Sequence, residues 1–181
     1  MMNLASTYHN QGRYRDAEVL FKQCLAKQKV VLGIENLQTL YTMSNLANAC
    51  NSQDKYREAE ILYKICLDKY KIVLGENHPD TLEIIDKLAA TYDRQYRYSD
   101  AEVLYKQCFD KMKVVLGENH PKTLFCLCNL ACNYANQDRY SEAEVLYKQC
   151  LAKRKVVLGE SHPLTLHTMS NLEKLQKNFI K

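Results

Sequence analysis

Eight cysteines and five histidines are the residues of this 181-residue chain that could most readily do chemistry. Cysteine thiolates bind metals and act as nucleophiles, and Cys126, Cys128 and Cys132 form the pattern C-x-C-x3-C. A zinc site needs about four converging ligands. On a helix, however, only Cys128 and Cys132 of this set would be surface neighbours. The pattern therefore predicts no metal site.

Most of the remaining candidates recur periodically. One cysteine column lies in the repeated phrase A-E-x-L-[YF]-K-x-C-[LF], at Cys24, Cys66, Cys108 and Cys150. Cysteine in such a column behaves as a small core residue, and free thiols without an export signal favour a reducing, cytoplasmic compartment. His78, His120 and His162 each precede a proline, which indicates turn residues. Because catalytic groups converge on one place, the sequence predicts no enzyme and no cofactor.

Composition and charge exclude further classes of partner. The net charge of +4, with 46% hydrophobic and 25% charged residues, is ordinary for a soluble domain and too weak to imply nucleic-acid or membrane binding. No apolar run approaches the roughly 18 residues of a membrane span. Lysine columns such as Lys22, Lys64, Lys106 and Lys148 could form a basic stripe for nucleic acid. Most have acidic neighbours, however, which favours solvated outer helix faces.

One phrase is written three times at equal intervals. KVVLGENHPKTL at residues 113–124 has close copies at residues 71–82 and 155–166, 42 residues apart. Its glycine follows the last apolar residues of a predicted helix, where glycine can take the left-handed turn that closes a C-terminus. Its proline suits the first turn of the next helix. The phrase therefore joins one helix pair to the next.

Each repeat is predicted to form two helices. The first runs from about residue 38 to 51 and the second from about 56 to 74, each with apolar residues at helical spacing. A single pair cannot bury its apolar stripe alone, so neighbouring pairs must stack. The sequence therefore predicts an all-α fold of four helix pairs and a final helix.

The repeats resemble those of tetratricopeptide proteins, and the phrases HPxTL, NLAxxY and YxEAExLYKxCL resemble the kinesin light chain and nephrocystin-like type. The resemblance implies a right-handed α-solenoid of helix-turn-helix repeats, in a single array over residues 1–181. The repeats would span about 1–36, 37–78, 79–120 and 121–162, with a C-terminal capping helix at 163–181.

The resemblance also implies a function. Similar proteins are non-enzymatic scaffolds that bind an extended peptide in a concave groove, and the best-known role is that of a cargo adaptor in microtubule-based transport. Their heptad coiled coil, which docks on the kinesin heavy chain, has no counterpart before Asn3. Contact with that heavy chain is therefore expected only through segments outside these residues. The alternatives are a structural or self-associating repeat array, or a fragment of a larger signalling protein; the chain is expected to be a monomer or to self-associate weakly.

The first helix of each pair lines the groove in similar proteins, and matching asparagines bind the peptide backbone. The predicted peptide-binding residues are Asn3, Asn45, Asn129, Asn171, Tyr41, Asn48, Lys87, Phe125 and Arg154. Alternatively, the asparagines cap or bridge helices, and Tyr41 and Phe125 are ordinary packing residues. Only Arg154 matches the groove arginines of the light chains, which weakens the expected preference for an acidic peptide.

Overall fold

The computed structural model describes residues 1–179 and confirms the all-α prediction of four helix pairs and a final helix. The last two residues of the predicted capping segment, 180 and 181, lie outside the described residues. The described helices are α1 (Met2–Asn10), α2 (Tyr14–Val31), α3 (Leu37–Asn51), α4 (Tyr56–Leu74), α5 (Pro79–Arg94), α6 (Tyr98–Leu116), α7 (Pro121–Asn136), α8 (Tyr140–Leu158) and α9 (Pro163–Phe179).

The helices form two compact units, one of residues 1–95 with α1 to α5 and the other beginning at Tyr96 with α6 to α9. Within each unit every helix packs against the next in sequence. First helices also touch across repeats, α1 with α3 and α7 with α9. The predicted single array over the whole chain stays a prediction.

The repeated junction ends one helix and starts the next by identifiable contacts. His120 Nδ1 accepts a hydrogen bond from the Lys122 backbone N–H at 3.1 Å, so the histidine is the N-cap of α7, and Pro121 follows at the first helical position. Gly117, which ends α6, has φ 92° and ψ 159°. The positive φ agrees with the prediction, but ψ lies far from the left-handed helical value and in a region that essentially only glycine occupies.

The core consists of the columns that recur with the repeat. The four periodic cysteines are buried, as predicted, with Cys66, Cys108 and Cys150 at 0% exposure and Cys24 at 7%. Buried threonines and aromatic residues add to the core, and Phe21 and Tyr63 are among the largest fully buried side chains. The packing is therefore that of stacked helix pairs.

A glutamate with little exposed surface ties each of two second helices to the following repeat. The carboxylate of Glu18 in α2 accepts hydrogen bonds from Lys22 at 2.6 Å and from Gln53 and Lys55 at 2.7 Å. Burial opposes its ionisation, but these three donors outweigh burial and lower the pKa of Glu18 to about 2. In α6, Glu102 stands in the same arrangement and its pKa is also lowered to about 2, against the effect of burial, by the donors Lys106, Gln137 and Arg139.

Among the described residues, no helix combines the length and the apolar character that crossing a membrane would require.

Candidate functional site

A pocket of about 320 Å³ opens on the first unit, between the first helices of two successive repeats. Its wall comes mainly from α1 and α3. The lining residues are Ser6, His9, Asn10, Phe21, Tyr41, Asn45 and Asn48. The wall thus combines carboxamides, a hydroxyl, an imidazole and aromatic rings, and it carries no lysine, arginine, aspartate or glutamate.

Three predicted peptide-binding residues, Tyr41, Asn45 and Asn48, lie together in this pocket. They share one face of α3 because their spacing of four and then three residues is that of a helix surface row. The opposite side of α3 carries the buried Leu40 and Met43, which fixes the rotation of the helix about its axis. Tyr41 is 52% exposed, whereas Asn45 and Asn48 are half-buried.

A chain of hydrogen bonds holds the two asparagines. The Tyr63 hydroxyl of α4 donates to Asn48 Oδ1 at 2.5 Å, and Asn48 Nδ2 donates to Asn45 Oδ1 at 3.5 Å. Tyr63 is 0% exposed, and burial raises its pKa, so the hydroxyl stays a donor. Asn45 Nδ2 is covered and has no hydrogen-bond partner among the described residues. The chain therefore ends in a donor whose hydrogen bond is missing.

His9 closes one end of the pocket and was not predicted. Its Nε2 lies 3.3 Å from the Ser52 hydroxyl oxygen, and its ring packs edge-on against Tyr14, with 5.2 Å between ring centroids. Phe21, another lining residue outside the predicted set, occupies the column that holds Tyr63 one repeat later. The sequence contains a signal for this difference. The column has tyrosine at residues 63, 105 and 147 and phenylalanine only at residue 21, so the ring hydroxyl is missing only in the first repeat.

Two further predicted residues of the first unit do not line this pocket. Asn3 is exposed on α1, and its backbone oxygen accepts a hydrogen bond from the Thr7 hydroxyl at 2.9 Å. Lys87 lies on α5, where its ammonium group forms an ion pair with Glu83 at 3.0 Å. That pair partly neutralises the charge that Lys87 was expected to offer a peptide.

In the second unit, the predicted residues of the first helices remain accessible to different degrees. Phe125 on α7 is 46% exposed, and Asn129, one turn further along α7, is half-buried. Asn171 on α9 is half-buried, and its Nδ2 lies 3.3 Å from His167 Nε2. Their roles in peptide binding stay predictions.

Arg154 does not fit its predicted role. Its side chain is only 1% exposed. The guanidinium donates to the Leu164 oxygen at 2.9 Å, the Thr168 hydroxyl at 2.7 Å and the Leu124 oxygen at 3.3 Å. Because these acceptors belong to α7 and α9, Arg154 links three helices from within and offers no surface to a peptide in this conformation.

One group of possible metal ligands occurs in the first unit. Ligand atoms of Glu18, Cys50 and Glu58 lie within 4.8 Å of one another. The Glu18 carboxylate, however, already binds two ammonium groups, those of Lys22 and Lys55. Burial raises the pKa of Cys50 to about 11, so the thiol keeps its proton at neutral pH and is a poor ligand. The arrangement is that of an ion-pair network.

Models of the same kind of repeat match most of the chain. A tetratricopeptide repeat model matches residues 1–72, and a second tetratricopeptide repeat model matches residues 81–122 and 123–164. No curated protein matches the chain by sequence.

Solved structures give the same fold. Two crystal structures from Podosopora anserina, described as a putative kinesin light chain with nearly identical TPR-like repeats, are 26% identical to the chain; one of them is a point variant of the other. Their TM-scores are 0.81 and 0.80, and each match covers 97% of this chain and 83% of the other. BtubC (BKLC) from P. vanneervenii, at 22% identity, matches with a TM-score of 0.80 over 96% of this chain and 69% of its own, which supports the fold alone.

Proposed function

Because the chain belongs to the tetratricopeptide repeat family, we propose that it is a non-enzymatic interaction module that holds an extended peptide segment against α1 and α3. The peptide would cross the pocket lined by Tyr41, Asn45 and Asn48. The likeness of the chain to a putative kinesin light chain structure favours a role as a cargo or adaptor module in the cytoplasm. The seven buried free cysteines agree with a reducing compartment.

The proposal rests on Asn45 Nδ2, the donor at the end of the hydrogen-bond chain that has no acceptor among the described residues. Leaving a buried amide donor without an acceptor costs about 1–3 kcal/mol. The bond that restrains the Asn45 amide, from Asn48, is 3.5 Å long, at the limit of a hydrogen bond. A modest turn of the amide would therefore bring Nδ2 to the carbonyl oxygen of a bound peptide and recover the missing bond. Asn48, held by Tyr63, offers a second carboxamide beside it.

The pocket's chemistry also defines the class of ligand. An extended peptide presents alternating N–H and C=O groups, which carboxamides can match as donor and acceptor. The exposed ring of Tyr41 adds an apolar surface for one ligand side chain. Because none of the lining residues is a lysine, arginine or carboxylate, the preferred segment is neutral, and an acidic peptide gains no charge partner here.

The experiment is a selection of short peptides from a random display library on the whole chain, followed by calorimetry. Asn45→Ala should weaken the selected peptide about 5- to 30-fold, because a hydrogen bond and the correct wall shape are lost. Asn77→Ala is the matched control, since Asn77 is exposed in the loop between α4 and α5. Equal affinities for the wild type and the Asn45→Ala variant would contradict the proposed site. A library that yields no ligand at all would contradict the function.

A further inference from the structure

The cysteine pattern on α7 places two buried thiols against different neighbouring helices of the second unit. Cys126 Sγ lies 3.1 Å from Cys108 Sγ of α6. The Cys128 thiol is instead hydrogen-bonded to the Cys150 thiol of α8. α7 thus takes part in two dithiol pairs, and their surroundings decide which of them is reactive.

Cys128 and Cys150 stand at nearly the same level of an antiparallel helix pair. Cys128 lies eight residues before the end of α7, and Cys150 lies ten residues after the start of α8. With a rise of about 1.5 Å per residue, the two positions differ by only about 3 Å in height. Two cysteines that face each other at one level have the arrangement from which a disulfide forms.

A buried cation lies beside this pair. Arg154 follows Cys150 by four residues, so the two side chains share a face of α8. Cys150 Sγ and Arg154 Nη2 converge on the Leu124 backbone oxygen, at 3.2 and 3.3 Å. Arg154 is also hydrogen-bonded to Cys128, which follows Leu124 by one turn of α7. Both thiols therefore lie next to the guanidinium.

The charge of Arg154 has no carboxylate partner among the described residues. Its acceptors are two backbone oxygens and the Thr168 hydroxyl, and its Nε is covered and has no hydrogen-bond partner there. A buried cation is costly unless a negative group pairs with it. Cys128 can supply that charge as a thiolate. A hydrogen bond from Cys150 and the charge of Arg154 lower the pKa of Cys128 in spite of burial.

The second dithiol differs in two respects. Met112 follows Cys108 by four residues, as Arg154 follows Cys150, so this column gives the Cys108–Cys126 pair no cation. Cys108 and Cys126 are at most 1% exposed, whereas Cys128 retains 5%. The pair on α6 and α7 is therefore an internal comparison for the pair on α7 and α8.

We propose that Cys128 and Cys150 form a modification site, at which a peroxide oxidises the two thiols to a reversible disulfide between α7 and α8. The Cys128 thiolate attacks a peroxide oxygen and breaks the O–O bond, which gives a sulfenic acid and a hydroxide that takes up a proton to become water. The Cys150 sulfur then attacks the sulfenic sulfur, the S–O bond breaks, and the oxygen leaves with the Cys150 proton as a second water. The two thiols thereby lose two electrons to the peroxide. The site stands whether or not the pocket on α1 and α3 binds a peptide.

The test treats the reduced whole chain with hydrogen peroxide, alkylates the remaining thiols and maps disulfides by mass spectrometry after trypsin digestion. Trypsin releases Cys150 in residues 149–153 and Cys108 in residues 107–111, whereas the three thiols of α7 stay together in residues 123–139. The main product should link residues 123–139 to residues 149–153. Dithiothreitol should reverse the link.

Two variants identify the cysteine of α7 that reacts. Cys128→Ser should abolish the link to residues 149–153, and it should fold because Ser44 is 2% exposed in the same column. Cys126→Thr is the matched control, since Thr42 is fully buried in the column of Cys126. This control should form the link at the wild-type rate. Circular dichroism checks that both variants are folded.

Arg154→Met tests the guanidinium. Met112 shows that the column accepts a methionine, so the fold should be retained. Without the cation, less of Cys128 is ionised at neutral pH, and the disulfide should form roughly tenfold more slowly. The ultraviolet absorbance of the thiolate should fall in the same variant, which loosened packing alone would not cause.

Other outcomes overturn the proposal. A link from residues 123–139 to residues 107–111 would make Cys108 and Cys126 the reactive pair. Oxidation of the exposed Cys132 without any disulfide would show that the buried pair is inert. An Arg154→Met variant that is oxidised at the wild-type rate would contradict the activation of Cys128 by its neighbour.

Discussion

The hydroxyl of Tyr63 lies 2.5 Å from Oδ1 of Asn48 and thereby connects the buried interior of a helix pair to the wall of the candidate pocket. Tyr63 belongs to α4 and has no exposed surface, whereas Asn48 belongs to α3 and lines the pocket. This contact fixes which way the Asn48 amide points. Through the next bond it also influences Asn45, whose Nδ2 lacks a partner among the described residues.

Tyr63→Phe should therefore weaken peptide binding without unfolding the protein. The loss of one hydrogen bond, about 0.5–1.5 kcal/mol, corresponds to roughly a two- to thirteenfold increase in the Kd. The ring should still pack, because Phe21 occupies the equivalent column in the first repeat and is 1% exposed. Calorimetry with the selected peptide and urea unfolding together check both expectations.

Tyr147→Phe is the matched control for Tyr63→Phe. Tyr147 is 2% exposed, lies in the same column of the second unit and is not among the residues that line the pocket. It should alter the free energy of unfolding by a similar small amount and leave peptide affinity unchanged. If both variants lowered the affinity equally, the effect of Tyr63 would come from general loosening of the fold and not from the position of Asn48.

The helices and their order followed from the sequence because their signals are local. Glycine and His-Pro mark each junction, and the apolar period of the helices is regular, so α4 was predicted at the bounds that it has. The pocket was predicted from the sequence only in part. The helical spacing of Tyr41, Asn45 and Asn48 places them on one face, whatever α3 packs against. Asn3 occupies the same repeat position as Asn45 but lies outside the pocket. The pocket forms beside the other end of α1, at His9 and Asn10.

Arg154 was predicted as a groove residue because it matches the groove arginines of similar light chains, whereas the structure buries its side chain. The equivalent residues Tyr70 and Met112 are 6% and 1% exposed, so the column belongs to the core. A tyrosine and a methionine at those positions already indicated this in the sequence. The arginine can occupy a core position only because backbone oxygens of neighbouring helices accept its hydrogen bonds, and such a three-helix arrangement is not visible in a linear sequence.

Peptide binding in the first unit should depend little on salt. Screening weakens interactions between charges, and no residue that lines the pocket is lysine, arginine, aspartate or glutamate. We expect the Kd of the selected peptide to change less than about twofold between roughly 50 and 500 mM salt. Adding two aspartates to the peptide should not tighten binding. A Kd that rises more than tenfold with salt would instead indicate an ionic contact outside the pocket.

Stability should fall as the pH drops from about 5 towards 2. Glu18 and Glu102 have pKa values of about 2 in the folded chain, below the ordinary value of about 4.3. Below pH 5 the unfolded chain takes up protons on these groups while the folded chain does not, so protonation favours unfolding. Each glutamate contributes roughly 2 kcal/mol above pH 5, allowing for partial exposure. Urea unfolding at pH 7, 5, 4 and 3 measures this loss.

Glu18→Gln tests the source of that pH dependence. The variant should be less stable at pH 7, because Lys22 and Lys55 lose their common acceptor. It should also lose less stability than the wild type between pH 5 and pH 3. Glu160→Gln is the control, since the Glu160 side chain is 78% exposed and should leave the profile unchanged. A wild-type slope retained in the Glu18→Gln variant would assign the acid sensitivity to other groups.

Arg154 should act on stability and not on peptide affinity. Arg154→Ala removes the donors of three acceptors on α7 and α9 and leaves a cavity, which should cost about 3–5 kcal/mol of unfolding free energy. Arg154→Met should cost much less, about 1 kcal/mol, because the equivalent Met112 fills the same core column and an apolar residue needs no partner. Urea unfolding should rank the wild type above the Met variant and the Met variant above the Ala variant. Calorimetry should give the Met variant the wild-type Kd for the selected peptide; a weaker Kd at nearly unchanged stability would restore Arg154 as a peptide contact.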